Sequence, residues 1–416
     1  MKRVRLICIA ANALLAVLVG HAQLQKAGKA RYIIQDVGTL GGLNAEAGGI
    51  SNDGWVEGFS TLPGESVIHS FLWRNGVMID LGTLGGPNSY SEWRPNEYGN
   101  AGGDSDTDIP DPNGEDFCGF GTQLICRAFY WIHGKMIAQP TLGGNNSNGF
   151  GINDLGELAG TAENKIPEPS CDGSGQVLQY KPVLWMGGRV FQLPTVGDDP
   201  VGVAYAVNNL GEAIGQTGPC GTEQFGGTGH AVLWKNAKAI DLGSLGGTTN
   251  NAPQDLNNYG QVVGFSGLPG DETFHAFLWQ RGKMTDLGTL PGDFHSVAEG
   301  INSSGQVVGR SSDVSFNGRG WVLEDGVMTD FNTLIPANSP LYVIECTGNN
   351  DLGQIVGIAV EISTGNTRGF VATPVNGDGP LAAAAGETLQ RPHITLPENL
   401  HKLLQRRIRR MPQFVY

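Results

Sequence analysis

The chain repeats one short pattern seven times, and this repetition constrains its fold more than any other feature. The hallmark is Asn-x-x-Gly-x-x-x-Gly, as at Asn302, Gly305 and Gly309. Successive copies are 45, 57, 55, 49, 45 and 48 residues apart, and they begin at Ser51, Asn96, Asn153, Asn208, Asn257, Asn302 and Asn350. A period of this length is typical of propeller blades and other stacked repeats.

Each copy is expected to hold four short strands. In the fifth copy, residues 252–257 and 261–266 flank an Asn-Tyr-Gly turn, and residues 275–279 and 283–287 flank a Gln-Arg-Gly turn. The runs are rich in Val, Leu, Phe and Trp, and none has a helical apolar period. The pattern therefore predicts an all-β, seven-bladed propeller of four-stranded antiparallel blades over residues 23–374.

The two ends of the repeat region complement each other. The seventh copy stops after its third strand, at residues 368–372, whereas residues 32–36 match the missing fourth strand. An N-terminal strand that completes blade seven would close the ring and remove two exposed strand edges.

The third strand of each copy opens with a basic residue and often ends in Trp, as in HAFLW at residues 275–279. An Asp recurs in the fourth strand, and Asp286 is expected to lie at the same open end of that hairpin as His275, within side-chain reach. We therefore predict that His275 and Asp286 form a structural pair that fixes strand register, while Trp279 packs between blades.

Three segments, DLGTLGG, the run Ile-Asn-x-x-Gly-Gln-Val-Val-Gly and HAFLW, together resemble the bacterial extracellular repeat family named after its His-Ala-Phe signature. The resemblance covers residues 31–373. It implies secretion and a propeller-like repeat fold, and it carries no catalytic residues.

Both ends of the chain differ from the repeats. Residues 1–22 have a basic start, an apolar run and small residues before Gln23, which predicts a cleaved signal peptide and an extracellular protein without a transmembrane segment. Residues 375–416 form a linker and a basic tail with helical apolar periodicity. That tail is expected to contact an anionic membrane surface, to dock onto the acidic propeller, or to stay disordered.

Composition narrows the partners and the redox state. The formal net charge is −14, which argues against nucleic-acid binding. In an exported protein, disulfides are expected, with Cys118 pairing Cys126, Cys171 pairing Cys220, and Cys346 left free.

Function is expected in the segments that do not repeat, above all the loops between the second and third strands of blades two to four. The blade-two loop is acidic, so it is either a solvated loop or a calcium site. The candidate calcium ligands are Asp104, Asp106, Asp108, Asp111, Asn113 and Glu115.

Catalytic signals are sparse. His295 with Asp293 is the candidate acid/base pair, because this histidine alone lies in a variable place near an inner strand. The leading hypothesis is a non-catalytic propeller that binds an extracellular polysaccharide or protein through the loops of blades two to four. The alternative is a carbohydrate-active hydrolase or lyase with its site at the channel mouth or the acidic loop, and a surface structural protein is a third hypothesis.

Overall fold

The computed structural model describes residues 31–171, 175–221 and 227–375, and residue 395. Within them, 28 strands form seven four-stranded sheets. In chain order the strands are β1 (Tyr32–Asp36); in blade one β2 (Ala45–Ile50), β3 (Val56–Thr61), β4 (Ile68–Arg74) and β5 (Val77–Asp80); in blade two β6 (Gly85–Tyr90), β7 (Ala101–Pro110), β8 (Leu124–Ile132) and β9 (Lys135–Ala138); in blade three β10 (Ser147–Ile152), β11 (Leu158–Pro167), β12 (Leu178–Met186) and β13 (Arg189–Gln192); in blade four β14 (Val201–Val207), β15 (Ala213–Gly218), β16 (His230–Lys235) and β17 (Lys238–Asp241); in blade five β18 (Ala252–Leu256), β19 (Val262–Gly267), β20 (Phe274–Gln280) and β21 (Lys283–Gly288); in blade six β22 (His295–Ile301), β23 (Val307–Ser312), β24 (Gly318–Glu324) and β25 (Val327–Asp330); and in blade seven β26 (Leu341–Asn349), β27 (Ile355–Glu361) and β28 (Thr367–Pro374). Two short 3-10 helices lie at Pro169–Cys171 and Phe331–Thr333.

The predicted seven-bladed propeller is confirmed. Within each of blades one to six, consecutive strands pair antiparallel, and the first strand lines the central channel. The ring closes as predicted, because β1 pairs with β28 and supplies the fourth strand of blade seven.

The propeller has two distinct faces. The Asn-x-x-Gly turns between first and second strands lie on one, which we call the turn face. The connections between second and third strands lie on the other, which we call the loop face. Since chain direction alternates from strand to strand, the hairpin turns between third and fourth strands also lie on the turn face.

Aromatic and apolar side chains fill the spaces between blades. The third-strand tryptophans Trp185, Trp234 and Trp321 are almost fully buried. Trp185 Nε1 donates to the carbonyl of Pro140 at 2.7 Å. This bond links β12 of blade three to the connection between blades two and three. Burial of both sheet faces explains why these strands are nearly continuous apolar runs.

The basic residue of the third strand pairs with the acid of the fourth strand in five blades, which are blades one, four, five, six and seven. The fourth strands of blades two and three have no acidic residue. His275 Nδ1 lies 3.0 Å from both carboxylate oxygens of Asp286. In blade six, Arg319 takes the place of the histidine and lies 3.1 Å from Asp330. The contact between His275 and Asp286 is diagonal, since Asp286 pairs with Phe277 across the two strands. That this pair fixes the strand register stays a prediction. Trp279 packs against the core between blades four and five.

The repeated asparagine links each blade to the next. Its amide Nδ2 donates to the backbone carbonyl of the equivalent residue one blade on, as Asn208 does to Asn257 at 3.1 Å. The six bonds join Asn96 to Asn153, Asn153 to Asn208, Asn208 to Asn257, Asn257 to Asn302, Asn302 to Asn350, and Asn350 to Ser51. We call this set the asparagine ring.

Blade one interrupts the ring because Ser51 is too short to reach the next blade. There the carboxylate of Glu97 accepts the backbone N–H groups of Asn52 at 3.0 Å and Asp53 at 2.8 Å. The junction of blades one and two is therefore held by a different residue pair at the same place.

The predicted signal peptide at residues 1–22 and the predicted tail helix lie outside the described residues. Among the described residues, no helix is long and apolar enough to cross a membrane.

Candidate ligand site in the central channel

A short segment of blade two enters the central channel. Strand β6 ends at Tyr90, and residues 91–95 (SEWRP) follow before the Asn96 turn. Trp93 lies parallel to the ring of Tyr205 at 5.8 Å and edge-on to Phe150 at 5.9 Å. This indole therefore fixes the segment against the inner strands of blades three and four.

Glycines of blade one make room for this segment. A Cβ atom on Gly48 would lie 2.0 Å from the backbone oxygen of Glu92, and one on Gly49 would lie 2.6 Å from Cα of Arg94. No side chain fits at either distance. The inner strand of blade one is glycine-rich here because another backbone lies directly on it.

A cavity of about 100 Å³ lies in the channel, and all seven blades contribute to its wall. Trp93, Phe150 and Tyr205 supply aromatic surface. Cys118 and Phe120 of the blade-two loop also line it, which places the cavity toward the loop face. Arg94 borders both this cavity and a smaller one at the asparagine ring, so its side chain lies between the two mouths.

The cavity wall is charged, and carboxylates outnumber guanidinium groups. Arg310 lies 3.3 Å from Glu345 and 3.8 Å from Glu299, and all three side chains are largely buried. The wall holds two arginines, Arg94 and Arg310, against five carboxylates, Glu92, Asp104, Asp255, Glu299 and Glu345. The site therefore disfavours anionic ligands.

Asp255 is the carboxyl group with the most distinctive setting. Burial deep in the channel raises its pKa, and the positive charge of Arg94 acts in the opposite direction. Its Oδ2 accepts the backbone N–H of Ile301 at 2.9 Å. A carboxyl group with a raised pKa is suited to donating a proton.

Two amide oxygens at this cavity have unused hydrogen-bonding capacity. Within the described part of the chain, Oδ1 of Asn148 and Oδ1 of Asn349 are buried and accept no hydrogen bond. Asn148 is 5 % exposed. Buried polar atoms are normally paired, so these two oxygens indicate that the wall is completed by water or a ligand.

The predicted acid/base candidates lie elsewhere. The imidazole of His295 is stacked between Phe274 at 4.5 Å and Phe316 at 4.9 Å. Burial, followed by the charges of His275 and Arg310, lowers the pKa of His295 to about 4. The Asp293 carboxylate accepts from Nε of Arg319 at 2.9 Å. This histidine is thus neutral at pH 7 and packed as an aromatic ring.

The acidic blade-two residues face into the protein more than sequence reasoning anticipated. Asp104 and Asp106 are buried, and Asp108 is exposed. Asp106 accepts from Asn88 and Thr122, each at 3.1 Å, and burial raises the pKa of Asp106 to about 6.

The remaining candidate calcium ligands hold neighbouring loops together. Asp111 accepts the backbone N–H groups of Asn113 at 2.7 Å and Glu115 at 3.1 Å. Glu115 accepts the N–H groups of Val177 at 2.6 Å and Leu178 at 3.1 Å in blade three. Calcium binding stays a prediction, and a bound ion would have to compete with these donors.

Two disulfides fix the same loops. Cys118 is bonded to Cys126 within blade two, and Cys171 to Cys220 between blades three and four, as expected. Cys346 is free and buried. Asp104 lies close to both sulfurs of the first disulfide, but bonded sulfurs are not thiolates, so this group is not a metal site.

The sequence predicts a site at the channel mouth only as an alternative, and Asp104 is the one residue of this wall among the predicted catalytic and metal-binding candidates. Three of the wall's carboxylates, Asp255, Glu299 and Glu345, come from the first strands of blades five, six and seven, and only the closed ring brings them together with Glu92 and Asp104 of blade two. A usable signal existed, because Glu92, Trp93 and Arg94 are large polar or aromatic residues at the positions where blade one has Ala47, Gly48 and Gly49.

No family model and no curated protein sequence matches the chain, so membership of the His-Ala-Phe repeat family stays a prediction. The β-propeller domain of the Trilobed protease from Pyrococcus furiosus aligns with a TM-score of 0.44 and 10% identity, over 69% of this chain and 81% of that one. A puromycin-hydrolyzing peptidase from Mycobacterium tuberculosis aligns with a TM-score of 0.44 and 12% identity, over 86% of this chain and 54% of that one. A gluconolactonase from Xanthomonas campestris aligns with a TM-score of 0.32 and 12% identity, over 60% of this chain and 79% of that one. This chain thus spans about half of the peptidase, and at this similarity the strand pairing itself, not the alignments, establishes the propeller.

Proposed function

We propose that this protein binds an extracellular saccharide in the channel cavity, entering from the loop face. The observation that carries the proposal is the composition of the wall, where aromatic rings lie beside carboxylates, guanidinium groups and amides. Sugar rings pack their C–H faces on aromatic rings and hydrogen-bond their hydroxyls to polar groups. The unpaired oxygens of Asn148 and Asn349 are suited to accepting from such hydroxyls.

The charge of the wall selects among saccharides. With five carboxylates against two guanidinium groups, the site favours neutral or amino-substituted sugars over uronic acids and sulfated sugars. A volume of about 100 Å³ suits one sugar unit at a chain end, with the rest of a polysaccharide extending past Phe120.

The test measures binding of neutral, amino and acidic oligosaccharides to the purified protein by calorimetry. We expect binding of a neutral or amino sugar, and a loss of at least tenfold in affinity when Trp93→Ala removes the aromatic platform. Phe191→Ala is the matched control, because that exposed aromatic side chain lies on the outer strand of blade three, away from the channel. Binding only of acidic sugars, or equal effects of both variants, would refute the proposal.

Hydrolysis of the bound saccharide is a second candidate function, favoured by the setting of Asp255. Its raised pKa suits a general acid, and Glu345, paired with Arg310, offers a second carboxylate in the same cavity. Glycoside hydrolysis uses two carboxyl groups in different settings, one as a general acid and one as a base or nucleophile.

Reducing-end release separates binding from cleavage. Asp255→Asn is expected to abolish release while leaving sugar affinity within about threefold, since the amide keeps the size of the carboxyl group. If the wild-type protein releases no reducing ends from any oligosaccharide that it binds, the hydrolase hypothesis is refuted and the binding proposal is unaffected.

A further inference from the structure

The wall of the channel cavity carries more negative charge than its own arginines balance. With every group ionised, its five carboxyl groups and two guanidinium groups give a net charge of −3. Burial raises the pKa of Asp255 and so favours the neutral form of this group, which would leave a net charge of −2. A concave site with low-dielectric walls and charge of one sign concentrates ligands of the opposite sign. The wall therefore favours a cationic ligand.

The cations of the loop face do not supply the missing positive charge, because carboxylates of the same face lie beside them. Arg319 lies 2.9 Å from Asp293 and 3.1 Å from Asp330. Lys165 is exposed and is not part of the cavity wall. In the described part of the chain, the other lysines and arginines of this face also have acidic neighbours: Arg127 near Glu163, Lys181 near Glu168 and Asp199, and Arg368 near Asp36 and Glu361.

Within the wall, two carboxylates share one guanidinium group. Arg310 lies 3.3 Å from Glu345 and 3.8 Å from Glu299. The side chain of Glu345 is 2% exposed, and that of Glu299 is 14% exposed. A buried carboxylate is stabilised by nearby positive charge and by hydrogen-bond donors. Because Glu299 is the more distant from Arg310 and the more accessible of the two, it is the carboxylate against which a second cation is best placed.

A second feature of the same cavity indicates a ligand independently of charge. Asn148 lines the cavity and is 5% exposed. Its Oδ1 is buried and accepts no hydrogen bond in the described part of the chain. Buried amide groups normally have hydrogen-bond partners. A ligand that carries hydroxyl or amine donors therefore fits this part of the wall better than an apolar ligand does.

The wall fits an organic cation better than a metal ion. Among the described residues, no three carboxylates of the wall lie close enough together to hold one ion jointly. The rings of Trp93, Phe150 and Tyr205 line the same cavity. A hard metal ion takes oxygen ligands on all sides, whereas an ammonium group is also attracted by aromatic faces. The carbon skeleton that carries the ammonium group can pack on those faces as well.

We propose that the saccharide bound in the channel is an amino sugar with a free primary amine, whose ammonium group lies against Glu299 while its ring packs on Trp93. This inference rests on the proposed function, because it names the class of saccharide that the same cavity binds. It adds Glu299 as the residue that selects this class. A sugar with a hydroxyl group in place of the amine has no positive charge, so it loses the charge-assisted contact with Glu299.

A glucosamine trimer and the glucose trimer of the same linkage test this with the purified protein. Each ring of the first carries an amine where the second carries a hydroxyl group, so the two trimers have almost the same shape. At a pH at which the amines are protonated, we expect calorimetry to show binding of the glucosamine trimer that is about tenfold tighter or more, the effect of one hydrogen bond to a charged group. Trilysine, which has ammonium groups but no sugar rings, should bind more weakly than the glucosamine trimer.

Two variants assign the preference to one residue. Glu299→Gln should reduce the ratio of the two affinities to below about threefold. Glu272→Gln, which removes an exposed loop-face carboxylate outside the cavity wall, should leave the ratio unchanged. If Glu299 had only a structural role, its substitution would change both affinities together and preserve the ratio.

The outcomes separate this inference from the proposed function. Binding of the glucose trimer that is as tight as that of the glucosamine trimer, or an unchanged ratio in Glu299→Gln, would overturn this inference alone. Tighter binding of trilysine, or no binding of the glucosamine trimer, would overturn it as well, and the wider set of oligosaccharides would then decide whether the proposed function stands.

Discussion

Removing one member of the asparagine ring should destabilise the propeller far more than a surface-turn substitution normally does. Asn208 is 4 % exposed. Its Nδ2 donates to the carbonyl of Asn257 and to Glu212, each at 3.1 Å. Its Oδ1 accepts the N–H groups of Leu210 and Glu212, each at 3.0 Å. Asn208→Ala removes all four bonds at once.

The magnitude follows from the number of bonds and from burial. Each hydrogen bond contributes about 0.5–1.5 kcal/mol net, and a buried partner left unpaired costs more. Since the N–H groups of the turn regain water, we expect a loss of about 3 kcal/mol in the free energy of unfolding. For a domain of this size the entropy of unfolding is about 0.7 kcal/mol per degree, so the thermal midpoint should fall by about 4 °C.

Blade one supplies the matched control. Ser51 occupies the equivalent position, but its Oγ accepts only one long bond, from the N–H of Trp55 at 3.3 Å. Ser51→Ala should therefore reduce stability by about 1 kcal/mol or less. Calorimetry and urea unfolding of both variants decide the matter. Equal losses, or a loss below 1 kcal/mol for Asn208→Ala, would refute the ring as a stabilising device.

Three further outcomes follow from the loop contacts. Burial and the nearby Glu115 charge raise the pKa of Glu163 from 4.5 to about 8, so the free energy of unfolding should fall as pH rises between these values. Glu163→Gln should flatten that part of the plot of thermal midpoint against pH. An unchanged plot would contradict the raised pKa. Cys171→Ser with Cys220→Ser opens a 49-residue loop and should lower the free energy of unfolding by about 4 kcal/mol, as measured with urea. Cys118→Ser with Cys126→Ser opens a shorter loop and should lower it by about 2.5 kcal/mol. The reverse order would show that chain entropy does not govern the effect. Calcium and a chelator should each change the thermal midpoint by less than about 1 °C, because the carboxylates of Asp111 and Glu115 already accept backbone N–H groups. A larger rise with calcium would establish the predicted calcium site.

The fold could be predicted because its signals are local and repeated. The expected strand at residues 252–257 is observed as Ala252–Leu256, and the closing strand is observed at Tyr32–Asp36, as predicted. The unpaired third strand of the last copy required a partner, and only one segment of matching sequence stood outside the repeats. The order and antiparallel pairing of strands within each blade could be predicted from the same repeated pattern.

The channel mouth was predicted as one possible location, but most residues of the candidate site could not be predicted, because they depend on contacts between blades. Nothing in the order of residues shows that Arg310 of blade six lies beside Glu345 of blade seven. The repeated asparagine predicts a turn, because a turn depends only on neighbouring residues. Its hydrogen bond to the next blade could not be predicted in this way, because the acceptor lies about 50 residues further along the chain, as for Asn208 and Asn257. The acidic blade-two residues could be assigned only to a solvated loop or a calcium site, because the backbone donors that bind Glu115, such as the N–H of Val177, lie more than sixty residues away in the sequence.

The asparagine ring also explains why sequence variation concentrates on one face. Each ring asparagine binds its own turn and the next blade, so an insertion in any turn would break contacts on both sides at once. In the part of the chain that the structure describes, the loops between second and third strands form no such ring, and their sequences differ from blade to blade. Where these loops grow long, Glu115 and the Cys171–Cys220 disulfide supply the links between blades that the ring supplies opposite. A frame that repeats from blade to blade on the turn face, together with cross-linked variable loops above the cavity, is what a scaffold needs if its ligand enters from the loop face.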